Sequence, residues 1–499
     1  MLTQLTSFAT IGLQSERITV EIGLLPGEGG ITIVGLGDTA VQESKQRVHL
    51  ALRASGYRLP TGRSITINLA PADLKKVGPR YDLPIALGLL LVHESIVLPP
   101  ERIQGIALMG ELALDGSLRH VSGVLSAAIG CRKQGLQTLI VPFANGAEAA
   151  LVPGLTVIAP NTLKELVDIL LGLREPDAIL PPAASPPRGT PAVDFADIRG
   201  QEHAKRALEI AAAGGHNVLM SGAPGSGKTL LAQALRGILP PLTREESLEV
   251  TQVYSVANLL PADLPLVEDR PFRAIHHTAS GVSIVGGGQI PGPGELSLAH
   301  RGVLFLDELA EFPANVLEVL RQPLEDRRIT INRAQGTVTF PADVLLVAAM
   351  NPPQFSGNAR RIQRRISAPF LDRLDLTIDV QSVPVDDLRQ KQSKPGESSA
   401  VILARVIAAR ERQRERFASL PISTNKEMGI REIRDFCQLS PEAEQILTQA
   451  AERLRLSARS YHRTIKVART IADLAASSDI RTADIAEALQ YRQSIGLDV

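Results

Sequence analysis

The eight residues Gly222-Ala223-Pro224-Gly225-Ser226-Gly227-Lys228-Thr229 fit the pattern Gly-x-x-x-x-Gly-Lys-Thr without a mismatch. The glycines let backbone amides turn inward around phosphate oxygens, and a helix starting directly afterwards offers its positive end. Lys228 is expected to reach the β- and γ-phosphates of a nucleotide, and the Thr229 hydroxyl to ligate magnesium. The context suits the motif: the short apolar strand Asn217–Ser221 comes before it, and a helix starts near Leu230. Further along, Gly302-Val303-Leu304-Phe305-Leu306-Asp307-Glu308 reads as an apolar strand ending in two acids. In parallel sheets ligands sit at the carboxyl ends of strands. Asp307 is expected to hold magnesium through water, and Glu308 to orient and polarise an attacking water. Together the two stretches predict a site that binds ATP with Mg2+ and hydrolyses it.

Three more polar residues are candidates for this site. Asn351 follows the apolar strand Val344–Met350, which puts it beside the γ-phosphate. Arg373 lies in Pro369-Phe370-Leu371-Asp372-Arg373-Leu374-Asp375, and Arg459 in Ser457-Ala458-Arg459-Ser460-Tyr461-His462-Arg463. An arginine reaching a γ-phosphate stabilises the charge of transfer, and a neighbouring subunit is able to supply it.

The elements that must hold these residues belong to a chain of 499 residues, too long for one hydrophobic core. Apolar residues make up 44% and charged residues 21%, which fits a folded, water-exposed protein. The formal net charge is zero, so any nucleic-acid contact must come from local basic patches. Cys131 and Cys437 belong to no paired ligand motif, which argues against a disulfide framework or a thiolate zinc site and for a reducing cytoplasm. The longest apolar run, Ile85–Val92, is far short of the ~20 residues that span a bilayer, so no membrane partner is expected. No secretory signal opens the sequence.

Pro176, Pro181, Pro182, Pro186, Pro187 and Pro191 mark 173–192 as an extended linker, since proline at this density blocks helix and central strand. Before it, residues 1–172 mix strand-like runs (Thr19–Leu24, Ile31–Val34, Ser64–Leu69, Thr138–Val141) with helices (Thr39–Ser55, Pro84–His93). That mixture reads as α/β or α+β. Residues 193–394 alternate continuous apolar strands with helices, the pattern of a parallel sheet covered on both faces. Residues 395–499 are helical, with helix-type spacing over Ala400–Phe417, Pro441–Arg455 and Tyr461–Ala476.

The order phosphate loop, acidic strand end, strand-end Asn, Leu-Asp-Arg and helical lid resembles an AAA+ ATPase of the magnesium-chelatase-like branch. Four runs resemble the competence protein ComM, or YifB, family: Asp194-Phe195-Ala196-Asp197-Ile198-Arg199-Gly200-Gln201-Glu202-His203-Ala204-Lys205-Arg206-Ala207-Leu208, Phe272-Arg273-Ala274-Ile275-His276-His277-Thr278, Gly292-Pro293-Gly294-Glu295-Leu296-Ser297-Leu298-Ala299-His300, and Val467-Ala468-Arg469-Thr470-Ile471-Ala472-Asp473-Leu474. The resemblance covers nearly the whole chain. It implies a hexameric ring in which Arg373 is the arginine finger acting across a subunit interface. It also implies that Arg459 is the lid arginine that senses nucleotide, with Arg463 a weaker match. Residues 251–300 and the hairpin Ile329–Asn332 with Thr337–Phe340 match elements that face the pore in relatives.

The N-terminal domain resembles the proteolytic domain of Lon through Gly110-Glu111-Leu112-Ala113-Leu114-Asp115-Gly116 and Gly135-Leu136-Gln137-Thr138-Leu139-Ile140-Val141-Pro142. The Lon serine falls near Gly78-Pro79-Arg80-Tyr81-Asp82, which holds no serine, and the lysine near Leu125. A Ser–Lys dyad needs both groups, so a non-proteolytic interaction module is expected. The stretch Asn351-Pro352-Pro353-Gln354-Phe355-Ser356-Gly357-Asn358 lacks the cysteines that usually follow this Asn-Pro pair in the family, so thiolates do not hold zinc there.

Arg360, Arg361, Arg364 and Arg365 crowd one segment, and Arg327, Arg328 and Arg333 flank the hairpin. Six-fold repetition makes such a lining strongly positive, which suits a phosphate backbone. Aromatics are only 3% with no tryptophan, so contact with DNA, branched or single-stranded, is expected through the backbone. Arg405, Arg410, Arg412, Arg414 and Arg416, interleaved with Glu411 and Glu415, read as an exposed, ion-paired helix. The family resemblance implies a DNA helicase or branch-migration motor that helps integrate transforming DNA, with recombination proteins as candidate partners. Two alternatives stay open: a magnesium-chelatase ATPase subunit of tetrapyrrole synthesis, and a protein remodeller or scaffold.

Overall fold

Strand Leu2–Ile11 turns at Gly12 into the antiparallel strand Gln14–Pro26, and this ribbon is the middle of the N-terminal sheet. The computed structural model describes residues 2–27, 29–58, 62–181, 193–261, 263–288, 291–333, 336–352, 366–382, 396–454 and 456–492. The first sheet has seven strands in the order Gly30–Val34, Arg63–Ala70, Gln14–Pro26, Leu2–Ile11, Ile106–Leu108, Thr138–Ile140, Thr156–Ile158. Its strands are parallel at both margins and antiparallel in the middle. Helices Thr39–Ala54, Asp82–Val92, Val124–Lys133 and Leu163–Leu171 cover it, and two apolar clusters form its cores. Asp38 caps the first of these helices by accepting from Val41 N, and Thr162 caps the last by accepting from Glu165 N.

The last N-terminal helix ends at Gly172 in the left-handed conformation. Beyond it the chain does not leave as a free tether. Arg174 pairs with Glu165 at 2.9 Å, and Ile179 packs against the cluster that contains Ala149 and Ala159. One apolar side chain and one ion pair hold this stretch down despite its prolines. The rest of the proline-rich segment, 182–192, lies outside the described residues.

The second sheet is five-stranded and wholly parallel, in the order Phe272–Ile275, Val303–Leu306, Leu345–Met350, Val218–Ser221, Leu376–Asp379. Alternation along each strand sends Val218, Met220, Val303, Phe305, Val347 and Ala349 to one face. Leu219, Leu304, Leu306, Leu346 and Ala348 go to the other. Each face is dry, which is why these strands are apolar throughout. Helix Glu202–Gly214 covers the first face together with the C-terminal helices; Ala314–Asp326 covers the second.

The C-terminal residues form helices Ser399–Arg416, Ile430–Phe436, Pro441–Arg453, Ala458–Leu474 and Thr482–Gln490. The first of these is not the solvated, self-paired helix its arginine spacing suggests. Only Arg414 pairs within the helix, with Glu411. Arg405 reaches Glu209 and Glu397, Arg410 donates to Ala212 O, Arg412 to Asp473 O, and Arg416 to Asp473. Arg405 and Arg410 thus fasten the helical lid to helix Glu202–Gly214 of the core, while Arg412 and Arg416 tie the helix to Ala458–Leu474 within the lid.

Hairpin Arg328–Arg333 with Gly336–Pro341 forms as expected from the sequence. Helix Arg244–Val256 docks on the N-terminal domain: Gln252 donates to Leu13 O at 2.7 Å and Ser126 Oγ at 3.0 Å. Among the described residues no helix is long and apolar enough to cross a membrane.

Candidate functional site

Four adjacent parallel strands deliver four polar stretches to one edge of the sheet. Val218–Ser221 runs into the phosphate loop, Val303–Leu306 into Asp307 and Glu308, and Leu345–Met350 into Asn351. Phe272–Ile275 runs into His276 and His277. All four are carboxyl ends, where a parallel sheet gathers its ligand groups.

The loop is shaped for a phosphate chain. Gly225 and Gly227 have φ of 78° and 94°, the left-handed region that glycine enters at no steric cost. A Cβ at Gly222 would sit 2.3 Å from Val380 O, so only glycine fits between the loop and the last strand. Ser226 Oγ is buried without a partner, an atom waiting for an acceptor. Helix Lys228–Leu235 starts directly behind.

Lys228 Nζ donates to Gly222 O at 2.7 Å, to Ala223 O at 2.9 Å and to Asn351 Oδ1 at 3.1 Å. Its three protons thus point into the loop and across to the third strand. Burial lowers its pKa, and the Asp307 charge acts against that. The Thr229 hydroxyl donates to Asp307 Oδ2 at 3.4 Å, while Asp307 Oδ1 accepts from Glu308 N at 2.9 Å. A hydroxyl and a carboxylate oxygen side by side are hard donors of the kind Mg2+ takes. The donor set and the shape of the loop fit a nucleotide triphosphate with its magnesium.

Glu308 stands at φ 53°, unusual for a residue with a side chain, and this turns its carboxylate toward the neighbouring strand. Glu308 Oε2 lies 2.9 Å from His277 Nδ1 and 3.9 Å from His276 Nε2. The two imidazoles are 4.0 Å apart between centroids. Sequence reasoning did not assign His276 and His277 to the site. The strand before them, Phe272–Ile275, carries Arg273 and is mostly part-exposed, so it lacks the unbroken apolar run that marks Val303–Leu306 before Asp-Glu.

Arg373 and Arg459 are not at this edge. Asn217, which opens strand Val218–Ser221, donates through Nδ2 to Arg373 O at 2.8 Å. Arg373 is therefore at the amino end of the sheet, about 13 Å from the loop along a four-residue strand. Glu325 holds both arginines, with Oε2 2.5 Å from Arg373 Nη2 and Oε1 3.0 Å from Arg459 Nη2. Burial raises the Glu325 pKa, but Arg373 and then Arg459 outweigh it and leave it lowered. The two arginines form one patch facing away from their own phosphate loop. Arg463 is buried, donates to Leu374 O at 3.1 Å and lies 3.8 Å from Asp375, so it braces the lid.

Among the hairpin arginines Arg327 pairs with Glu427, so part of the expected positive charge is neutralised within the chain. Arg328 and Arg333 make no ion pair among the described residues. Arg360, Arg361, Arg364 and Arg365 lie outside them, as does the cysteine-free loop from Pro353. In the N-terminal domain the segment Gly78–Asp82 contains no serine and Leu125 is buried.

Comparison with known proteins matches residues 194–388 to the family model "Magnesium chelatase, subunit ChlI". Residues 20–145 match "Subunit ChlI of Mg-chelatase", and 396–492 match "Magnesium chelatase, subunit ChlI C-terminal". YifB of Salmonella typhimurium is 43% identical, covering 97% of this chain and 96% of that protein. The competence protein ComM of Haemophilus influenzae is 42% identical over 98% of this chain and 97% of its own length. The magnesium-chelatase 38 kDa subunit of Rhodobacter capsulatus is 30% identical over 41% of this chain and 61% of its own. An α/β fold with a parallel nucleotide-type sheet and a helical lid, and full-length identity above 40%, make the chain a member of the ComM/YifB family of magnesium-chelatase-like AAA+ ATPases.

Proposed function

We propose that this chain is an ATP-driven motor that works as a hexameric ring on branched or single-stranded DNA, serving recombination of incoming DNA. The observation that carries the ATPase reading is the convergence of Lys228, Thr229, Asp307, Glu308 and Asn351 on one edge of the parallel sheet. On binding ATP, Lys228 Nζ exchanges its carbonyl partners for β- and γ-phosphate oxygens. Thr229 and Asp307 would hold Mg2+, which would supply positive charge against the phosphates. Glu308 takes a proton from a water, whose oxygen bonds to the γ-phosphorus as the bond to the ADP oxygen breaks. Asn351 fixes the γ-phosphate and the water beside it.

Arg373 and Arg459 serve a different copy of the chain. They lie together at the far end of the sheet, so a ring that stacks one copy's amino-end face on the next copy's loop brings both to a neighbour's γ-phosphate. The DNA reading is supported by full-length similarity to a competence protein and by Arg328 and Arg333 on the hairpin. The magnesium-chelatase 38 kDa subunit aligns with 41% of this chain, against 98% for the competence protein, which supports the DNA motor over a role in tetrapyrrole synthesis.

The test is ATPase and unwinding by the purified protein against branched, single-stranded and duplex DNA, with porphyrin and partner subunits as the contrasting arm. Stimulation by branched or single-stranded DNA alone is expected. Stimulation by porphyrin alone transfers the reading to the chelatase, and stimulation by neither favours a remodeller of proteins. Lys228→Ala should abolish nucleotide binding. Glu308→Gln should bind ATP normally and lose about 100-fold or more of turnover; normal turnover in that variant sinks the water-activating role.

A further inference from the structure

Away from the ATP site, a cavity of about 160 Å³ lies where the N-terminal domain meets the inserted segment of the motor. Thr10, Lys75, Arg80, Tyr81 and Ser122 line it from one side, and Val256, Pro291 and Gly292 from the other. No carboxylate lines it. Arg80 donates to Thr10 Oγ1 at 2.6 Å and to Ser122 Oγ at 3.4 Å, both neutral hydroxyls. It is partly exposed and makes no ion pair among the described residues; burial lowers its pKa, and the Asp38 charge only partly counters this. With no carboxylate bonded to the guanidinium, an anion in the cavity gains a charge-assisted partner.

The second observation is independent. Tyr81 is 0% exposed, and its hydroxyl is buried without a hydrogen-bond partner. Burial pushes its pKa up to about 12, so it is a neutral O–H donor. Buried hydroxyls are rarely left unpaired, and an orphan beside an unpaired arginine calls for an acceptor. Lys75 adds a positive charge at the rim, where it is exposed.

The geometry points to an oxyanion site: we infer that this cavity binds one phosphate group, held by Arg80, Tyr81, Ser122 and Lys75. Guanidinium and hydroxyl donors suit tetrahedral phosphate oxygens. The seam location gives the ligand a consequence. Gly123 N donates to Ser255 O at 3.2 Å and Ser255 Oγ bonds Glu148, so the cavity adjoins the contacts that dock helix Arg244–Val256. The donors all come from the N-terminal domain, and Val256, Pro291 and Gly292 of the inserted segment close the cavity over the phosphate. The phosphate is either free or part of a nucleic-acid backbone. The inference does not rest on the ATPase reading.

The experiment uses the full chain carrying Lys228→Ala, so that the phosphate loop does not take the probe. Inorganic phosphate is titrated at constant ionic strength, with thermal midpoint and tyrosine emission as readouts; the chain has no tryptophan to mask them. Saturable stabilisation is expected. Adding Arg80→Gln should weaken it at least about ten-fold, and adding Tyr81→Phe about three- to ten-fold. No saturable response, or the same midpoint with Arg80→Gln, overturns the inference. Should Arg80→Gln fail to fold, Lys75→Gln with Ser122→Ala replaces it; together they should weaken binding several-fold, and an unchanged affinity overturns the inference equally. A single-stranded oligodeoxynucleotide identifies the source. If phosphate competes with it and Arg80→Gln weakens it, the occupant is a backbone phosphate; if only inorganic phosphate responds, the occupant is free.

Discussion

Asp473→Ala should unpin the lid. The Asp473 side chain is fully buried in helix Ala458–Leu474 and serves three donors. Arg416 contacts both of its oxygens, Asn425 Nδ2 donates to Oδ2 at 2.8 Å, and Arg469 Nη2 lies 3.1 Å from Oδ1. Arg469 is itself only 1% exposed, so the substitution leaves two guanidinium groups side by side, one of them with no route to water. Breaking a buried pair from one side costs about 3–5 kcal/mol, chiefly from the uncompensated charge left behind. That is a third or more of the ~5–15 kcal/mol by which a typical domain is stable. Asp473→Asn keeps the shape and loses the charge, so it should cost less than alanine. The assay is urea unfolding combined with hydrogen exchange over the amides of Ala458–Leu474, because the lid is expected to open before the sheet. Faster exchange confined to the lid at low urea, with an opening free energy lower by about 3 kcal/mol or more, is the expected result. A loss under about 1 kcal/mol in the alanine variant would refute the reasoning, since the network would then be behaving as surface pairs do.

Three further outcomes test the site and its surroundings. His277→Ala removes the group 2.9 Å from Glu308 Oε2, and basal ATP turnover without DNA should rise a few-fold as the carboxylate is released; an unchanged rate means that His277 does not restrain it. Arg373→Ala should inactivate the ring while ATP still binds, and mixing it with an Asp307→Asn chain should restore part of the turnover through interfaces that combine the two intact halves. No recovery at any mixing ratio counts against action in trans. Glu249, held by His300 and Arg301, has its pKa lowered to about 2 despite partial burial. Its folded-state pKa is depressed, so its stabilisation is present above pH about 4.5 and is lost as pH falls toward about 2. In acid unfolding curves the gap between the wild type and Glu249→Gln should close across that window, and a constant gap contradicts the assignment.

The motor sheet was legible because its strands are buried on both faces. Val303–Leu306 and Leu345–Met350 are unbroken apolar runs, and the polar residues that end them are the site. Leu2–Ile11 was not legible. Its Thr6 and Ser7 are buried together with Leu5, Phe8 and Ala9, so neither alternation nor a continuous apolar run appears in the sequence. The arginines of Ser399–Arg416 misled for a different reason. Local i,i+4 spacing suggests partners within the helix, whereas the real partners, Glu209, Ala212 O and Asp473, are remote in sequence. His277 escaped notice because its importance lies in which strand is its neighbour, and strand order is a tertiary fact.

Asn217 explains how one rigid sheet serves two ends of a machine. It is almost fully buried and stands one residue before the strand that leads to the phosphate loop. Its Oδ1 accepts from Leu346 N at 3.1 Å and from Lys426 Nζ at 2.8 Å, while Nδ2 donates to Arg373 O at 2.8 Å. One side chain thus touches the strand that carries Asn351, the lid, and the backbone of the arginine patch. Lys426 is partly buried, and Asp375 beside it is held ionised by His216, Arg463 and Lys426 against the cost of burial. A packed core is not continuously deformable, so a shift of the loop strand is passed to the lid and Arg373 as a repacking of these bonds. In the ring proposed above, that end of the sheet would be the face from which Arg373 and Arg459 address the next copy, and a shift at the phosphate loop would reach that face along a single four-residue strand.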